Sequence, residues 1–304
     1  MDRFLELAAF VRTVDHGSQA AAAPELGVTP AMVGRYIRGL EDRLGTRLLN
    51  RTTANQSLTE AGSAFHAQAS LILDQLEDAE MAASDRQTEP HGALRVNAPM
   101  VFGVRYLATA AAAFGALYPR IRVDLSLNDR VVDLVEEGYD VAVRIGELAE
   151  SSLIARRLAP CHILLCASPG YLARAGTPQR PEDLLDHNCL MYSYARSGST
   201  WRMRRGAETV EVKPQGNLVA NNGDALLAAS LADAGIVRHP SFIAADALRD
   251  GRLVRVLPDW SADRLAVFAM YPSIRNLSPK VRGFVDFLAG RFGDRPPWDA
   301  GLGL

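Results

Sequence analysis

The segment TPAMVGRYIRGLEDRLG, residues 29–45, constrains the fold of this chain most, because it holds a helix start, an apolar face and a helix stop in one short run. Thr29 is suited to cap the N-terminus. Pro30 fits the first helical position, where its missing N–H would have no partner, and Gly45 can end the helix in the left-handed conformation. Val33, Ile37, Leu40 and Leu44 recur at spacings of 4, 3 and 4 and form an apolar stripe. Ala31, Gly34, Arg35 and Arg38 fall on the opposite side, which predicts a helix that displays guanidinium groups to a DNA groove.

The flanks supply the rest of such a module. Asp2 can cap a first helix whose Phe4, Leu7, Ala8, Val11 and Val14 share a face, and Asp15-His16-Gly17 reads as its stop. Ser18 restarts the chain into a second helix from Gln19 to Leu26, closed by Gly27, and the Thr29-Pro30 helix follows after a short turn. This is a helix-turn-helix arrangement. Leu48-Leu49 and Ser57-Leu58 flank a polar tip, Asn50 to Gln56, and predict a two-stranded wing.

Thr59 can cap a further helix that runs without proline to about Arg86, with Phe65, Ala69, Ile72, Leu76, Ala79 and Ala83 at heptad spacing. A surface helix packed on its own domain has the same pattern. A long helix between two domains would leave that stripe wet, however, so pairing with a second subunit is the expectation. Thr88 to Gly92 reads as a hinge.

Charge and composition narrow the class. The net charge of -2 excludes a generally basic nucleic-acid binder. From Val28 to Thr52, however, five arginines (Arg35, Arg38, Arg43, Arg47, Arg51) face two acids, Glu41 and Asp42, so DNA-binding charge is confined to one segment. Arg43 and Arg47 read as partners of Glu41 or Asp42 on a solvated face. The 304 residues suit about two or three domains. No basic leader precedes an apolar signal core, and no apolar run reaches the roughly 20 residues that span a bilayer, so a cytoplasmic protein without membrane contact is expected. Cys161, Cys166 and Cys189 have neither zinc-ligand spacing nor an even disulfide count.

Beyond the hinge, strands and helices alternate. Strands are predicted at Ala93 to Ala98, Ile121 to Leu127 and Asp140 to Ile145, with helices at Arg105 to Leu117 and Val131 to Glu137. A second set follows: strand Ile163 to Ala167, helix Pro169 to Arg174, strand Leu190 to Tyr194, hairpin Trp201 to Val212, strand Gly216 to Ala220 and helix Asp224 to Ala234. Strand Leu265 to Met270 and helix Pro279 to Phe292 close the series, and Gly293 to Leu304 is a Pro/Gly-rich tail. Such alternation implies parallel strands with crossover helices, in two α/β lobes.

AAAPELGVTPAMVGRYIRGLEDRLGTRLLNRTT and SLTEAG, followed by LVEEGYDVAVRIG and DGRLVRVLPDW, match in order and spacing the motifs of the LysR-type transcriptional regulators, which the chain resembles over nearly its whole length. The resemblance implies an N-terminal all-α winged helix-turn-helix (1–58), a long linker helix for dimerisation (59–88), and an α/β two-lobed periplasmic-binding-protein-like effector domain. Lobe 1 would take 93–160 and 265–292, lobe 2 would take 161–264, and 293–304 would be the tail. It implies that Thr29, Pro30, Ala31, Gly34, Arg35, Arg38 and Arg51 at the wing touch DNA. It also implies no enzymatic activity, no metal and no cofactor. The implied partners are double-stranded promoter or operator DNA, a small-molecule effector, further copies in a homodimer or homotetramer, and RNA polymerase.

Three departures from the family pattern bear on affinity. Gln19 stands where an aromatic is usual. Pro24 falls inside the second helix, at a cost of about 3 kcal/mol if the geometry does not adapt. Ala54 replaces a common basic residue of the wing.

Open sheets bind ligands beyond the carboxyl ends of their strands. That rule and the resemblance together select Pro99, Met100, Phe102, Asn128, Arg144, Gly146, Asn222, Asp224 and His239 for an inducer that is a carboxylate or an aromatic. Met100 and Phe102 also fit a core, Asn222 a helix cap, and Arg238-His239 a buried hydrogen-bonded pair. Two other readings compete: a redox-sensing regulator using Cys161, Cys166 and Cys189, and a ligand-binding protein or enzyme that does not bind DNA. Neither a Ser/His/Asp order nor a Gly-rich phosphate loop supports the latter.

Overall fold

The computed structural model describes residues 2–51, 56–83, 89–130, 132–147, 152–195, 198–262, 264–272 and 277–304. The chain divides into two compact units, Met1–Thr88 and Glu89–Leu304.

The first unit starts with α1 (Arg3–Asp15), capped by Asp2, whose carboxylate accepts the Phe4 N–H at 2.9 Å. The buried arc of α1 centres on Phe10 and includes Leu7, Val11 and Thr13, so the predicted stripe is shifted around the helix and Phe4 is left 50% exposed. α2 (Gln19–Ala22) is shorter than predicted, because Pro24 has no N–H with which to continue it; the turn that follows closes through Val28 N–H to the Ala23 carbonyl. α3 (Pro30–Leu44) has its three signals in place: the Thr29 hydroxyl accepts from Met32 N–H, Pro30 is the first residue, and Gly45 has φ +67°. Val33, Ile37 and Leu40 are buried, but Leu44 is 38% exposed, since it sits in the last turn beyond the core.

β1 (Leu49–Arg51) and β2 (Gln56–Leu58) pair antiparallel as the wing, and α4 (Glu60–Ala83) follows. The apolar face of α4 is used twice. Phe65, Ala69 and Leu73 pack into the core of this unit with Phe10, Leu40 and Leu48, whereas Ile72 is 47% exposed. Spacing of 4 and 4 along Phe65, Ala69 and Leu73 is therefore an intradomain contact, and Ile72 with Leu76 is what remains of the predicted seam; Ala79 and Ala83 lie outside the described side chains.

The second unit is built on a nine-stranded mixed sheet in the order β10-β7-β11-β6-β13-β5-β3-β4, with β12 added to β6. β3 (Gly92–Ala98), β4 (Ile121–Leu127) and β5 (Val141–Gly146) form a parallel set at one end. At the other end β7 (Cys189–Tyr192), β10 (Val219–Ala220) and β11 (Ile236–Pro240) form a second parallel set. Between them run β6 (Leu153–Ala167) and β13 (Arg264–Pro272), antiparallel to each other and to their neighbours. β12 (Val254–Arg255) is short, and β8 (Trp201–Arg205) pairs with β9 (Glu208–Val212) in a separate hairpin. The predicted strand Ile163 to Ala167 is only the second half of β6, whose first half pairs with β13 and whose second half pairs with β11. Both lobes thus share one strand, with residue 160 in its interior.

α5 (Met100–Phe102), a π-helical turn (Gly103–Leu107) and α6 (Ala108–Leu117) make one continuous helix. That helix is long and apolar enough to cross a membrane, and it is a core helix here, burying Phe102, Leu107, Ala110 and Phe114 with α10 (Pro279–Phe292) against β3. α7 (Pro169–Ala175), α8 (Gly223–Leu231) and α9 (Ser241–Arg249) belong to the other parallel set.

Other expectations require correction. The predicted helix Val131 to Glu137 is a single turn: the Asp133 carboxylate accepts from Val135 and Glu136 N–H, and Gly138 at φ +71° ends it. The apolar strand end before Arg238-His239 is β11, which continues through that polar pair to Pro240, and α9 follows it without a sequence signal. Nor is the C-terminal segment a loose tail. Trp298 is fully buried, with its ring against Phe102, Tyr106 and Phe292, and Arg249 binds the carbonyls of Trp298 and Ala300 at 2.8 and 3.0 Å.

Candidate nucleic-acid interface and effector cleft

Thr29, Pro30, Ala31, Arg35 and Arg38 are all exposed at the N-terminal half of α3. Among the described residues no ion pair holds Arg35 or Arg38. Gly34 differs from the expectation: it is buried, and a Cβ there would lie 2.7 Å from the Gln19 Oε1. It lets α2 approach α3, with the amide of Gln19 lying against it. Arg51 ends β1 opposite Gln56, and Ala54 lies outside the described residues.

The rest of the charge on α3 is structural. Arg43 does not pair with Glu41 or Asp42; its Nη2 donates to the buried carboxylate of Glu6 on α1 at 2.9 Å. Glu41 is itself buried, and its Oε1 accepts the N–H groups of Leu48 (2.8 Å) and Leu49 (3.1 Å), which fixes the entry into the wing. A buried carboxylate that accepts two backbone N–H groups replaces the water it lost. At the wing's exit the Thr59 hydroxyl donates to the Arg47 carbonyl at 2.8 Å and accepts the Gly62 N–H at 2.9 Å. A Cβ at Gly62 would overlap the Leu48 carbonyl oxygen, which explains the glycine of LTEAG. Thr59 caps the helix as expected from sequence, whereas the Glu41 support was not identified there.

In the second unit the candidate ligand residues fall into three groups. The first lies on one face of the parallel set β4-β3-β5. Asn97 is opposite Ser126 and Ala142, so Asn128 and Arg144, each two residues further on, project from that same face toward the carboxyl ends. The buried Asn97 donates to the Ser126 carbonyl at 3.1 Å and accepts from Arg144 Nη1 at 2.6 Å, while Arg144 Nη1 also donates to the Val143 carbonyl. Arg144 Nη2 and Asn128 Oδ1 are buried with no hydrogen-bond partner. Burial lowers the Arg144 pKa, with Tyr139 and Glu137 opposing the shift. Gly146, at the end of β5, is half-buried.

The second group surrounds the N-termini of the Met100 helix and of α8. Pro99 precedes the first helical turn, and Met100 is exposed with its N–H donating to Asp129 Oδ1 at 2.9 Å. Burial raises the Asp129 pKa against the hydrogen bonds from Met100 and from Tyr192, which belongs to the other parallel set. Asn222 caps α8 by accepting the Ala225 N–H at 3.1 Å. Asp224 pairs with Arg105 at 2.6 Å. Asp129 and Asp224 are thus both engaged across the boundary between the lobes, and Arg105 and Tyr192 are partners that sequence reasoning missed.

The third group is core. Phe102 is fully buried, its ring centroid 5.4 to 5.8 Å from those of Tyr106, Phe242, Phe292 and Trp298, so it is a core residue. His239 is buried as well, and its pKa falls to about 3, chiefly from burial with Arg105 adding to the effect. It is a neutral imidazole with Nε2 unpartnered.

The three cysteines are buried free thiols. Burial pushes Cys166 and Cys189 up to about 12 and Cys161 higher still, so a reactive thiolate does not form near neutrality. Among the described residues no group of His, Cys, Asp or Glu could hold a metal ion.

Comparison with known proteins agrees with the two-unit architecture. Residues 4–63 match the bacterial regulatory helix-turn-helix protein model of the lysR family, and residues 87–293 match the LysR substrate binding domain. The regulator CrgA of Neisseria meningitidis serogroup B is 35% identical, over 95% of this chain and 97% of its own. PtxR of Pseudomonas aeruginosa is 36% identical, over 95% of this chain and 93% of its own. The solved structure of CrgA has a TM-score of 0.61 and covers 95% of this chain and 98% of its own, at 35% identity. The full-length virulence activator AphB of Vibrio cholerae has a TM-score of 0.59 at 32% identity, over 94% of this chain and 98% of its own.

Proposed function

The chain belongs to the LysR-type transcriptional regulators, a non-enzymatic family that joins a helix-turn-helix DNA-binding domain to a substrate-binding domain, and we propose that it reads a promoter with α3 under the control of a small molecule held between its lobes. Thr29, Pro30, Ala31, Arg35 and Arg38 enter the major groove, and Arg51 meets phosphate from the wing. Acting on DNA places it in the cytoplasm. One observation carries the DNA reading: Arg35 and Arg38 stand exposed and without an ion pair among the described residues, whereas Arg43 on the same helix is engaged by Glu6. Replacing Arg35 by Ala should weaken binding to the target promoter by about 1–3 kcal/mol, measured by fluorescence anisotropy. Equal affinity for the substituted protein would remove Arg35 from the interface.

The effector is a small carboxylate whose body is accepted beside Met100 and Asn222. The unpartnered donor Nη2 of Arg144 supports this, since a buried donor is costly unless an acceptor pairs with it; the unpartnered acceptor Oδ1 of Asn128 calls for a hydroxyl or amine donor on the same molecule. A thermal-shift screen of carboxylate metabolites against the unsubstituted protein and Arg144→Met tests it. A ligand that stabilises both equally sinks the assignment. The exposed Ile72 and half-buried Leu76 of α4 support assembly with a second copy, as a homodimer or homotetramer.

A further inference from the structure

Arg105 projects from the π-helical turn Gly103–Leu107, a local irregularity frequent at functional positions, in the middle of an otherwise apolar helix. Its two terminal nitrogens are both used on the other lobe: Nη2 donates to Asp224 Oδ1 at 2.6 Å and Nη1 to the Ile243 carbonyl at 3.2 Å. The neighbouring Tyr106 hydroxyl donates to the Phe242 carbonyl at 3.4 Å. Asp224 lies in the first turn of α8, where the helix end favours an anion, and its side chain is 48% exposed.

Two further polar atoms lie at this junction. His239 Nε2, in β11, and Ser241 Oγ, at the start of α9, are in side chains at least nine-tenths buried, and neither has a hydrogen-bond partner. Residues 239 and 241 are two apart as β11 passes into α9, and Arg105 is near enough to His239 to act on it electrostatically. Arg105 therefore binds an anion that solvent can reach and is near a buried imidazole that lacks a partner at Nε2.

We propose that Arg105 is an anion-recognising residue of the cleft and that Asp224 is its resident counter-ion, so that a carboxylate-bearing effector binds by exchanging for Asp224 and unfastens one lobe from the other. The exchange conserves charge at Arg105. The Asp224 carboxylate of this pair is open to solvent, so its hold on Arg105 is weakened by water and a ligand carboxylate can compete with it. The Ser241 hydroxyl, two residues before the Ile243 carbonyl that Arg105 binds, is a buried polar group that Asp224 leaves unpaired. This proposal rests on the reading that the effector enters between the lobes.

The test uses the full-length protein and sodium acetate as the probe, titrated at constant ionic strength with sodium chloride. Backbone amide resonances of residues 224–226 and 241–243 report the exchange. In Asp224→Asn, which keeps the side-chain shape and leaves the Asn222 cap intact, the half-saturating acetate concentration should fall roughly fivefold relative to the unsubstituted protein. Arg105→Gln should abolish the response, and Arg105→Lys, if the Gln variant does not fold, should retain a weakened one. Equal acetate dependence with and without Asp224, or no dependence in either, overturns the proposal, as does a response that survives loss of the charge at Arg105. Such a failure leaves the Arg144 thermal-shift test of the cleft itself unaffected, so the two readings fail separately.

Discussion

The arginines of α3 and those of the effector-binding domain are the same chemical group in two opposite states. Arg35 and Arg38 are exposed and unpaired among the described residues, whereas Arg105 and Arg144 are already bound to protein acceptors. A guanidinium left in solvent can meet phosphate wherever DNA presents it, with counterion release as the driving force. One that is held by Asp224 or Asn97 yields only to a competitor of matching geometry, so the contact is selective and its exchange can move structure. In this protein the first arrangement suits binding a polyanion, and the second suits sensing a small molecule.

The comparison can be strained from the side of stability first. Trp298→Ala removes the ring that ties the C-terminal segment to Phe102 and Tyr106, and should destabilise the effector unit by about 3–5 kcal/mol in chemical denaturation while α3 keeps its intrinsic DNA affinity. Equal losses in both units would mean that they do not melt separately.

His239 gives a pH dependence of definite sign. Its folded-state pKa of about 3 lies below the ordinary histidine value of 6.5, so the unfolded chain takes up the proton first. Stability is fully present above pH 6.5 and is lost as the pH falls toward 3, by up to roughly 1.4 kcal/mol per pH unit. His239→Gln should flatten the acid limb of a denaturation series measured between pH 7 and pH 5. An unchanged slope would mean that the imidazole is not held neutral.

Arg43→Ala sharpens the contrast within α3 itself. It leaves the Glu6 carboxylate buried without its partner and should lower the stability of the first unit by about 1–2 kcal/mol. Its effect on the salt dependence of DNA binding should be nil, because Arg43 is not a phosphate contact.

How far the sequence could be read follows from the range of the forces involved. The limits of α3 are set by Thr29, Pro30 and Gly45 within one turn of where they act, and so they are legible. Pro24 shortens α2 by the same local rule, but tertiary packing decided that the turn beyond it is tolerated. The shift of the α1 stripe toward Phe10, and the division of the α4 stripe between an inward Ala69 and an outward Ile72, depend on neighbours that a helical wheel does not contain. The positions of Arg144 and Asn128 at the carboxyl ends of strands were legible, because strand limits are set locally. The pairing of Arg105 with Asp224 joins residues 119 apart in sequence and becomes visible only when the two lobes are folded against each other.

The central claim is that α3 binds DNA through guanidinium groups that the fold leaves free. It is tested most directly by the salt dependence of binding to the protein's own promoter fragment, for the unsubstituted chain and for Arg35→Ala/Arg38→Ala. The plot of log affinity against log salt should be steep for the former and shallower by roughly 1 for each arginine that contacts phosphate. Affinity insensitive to salt, or identical slopes for the two proteins, would contradict the account.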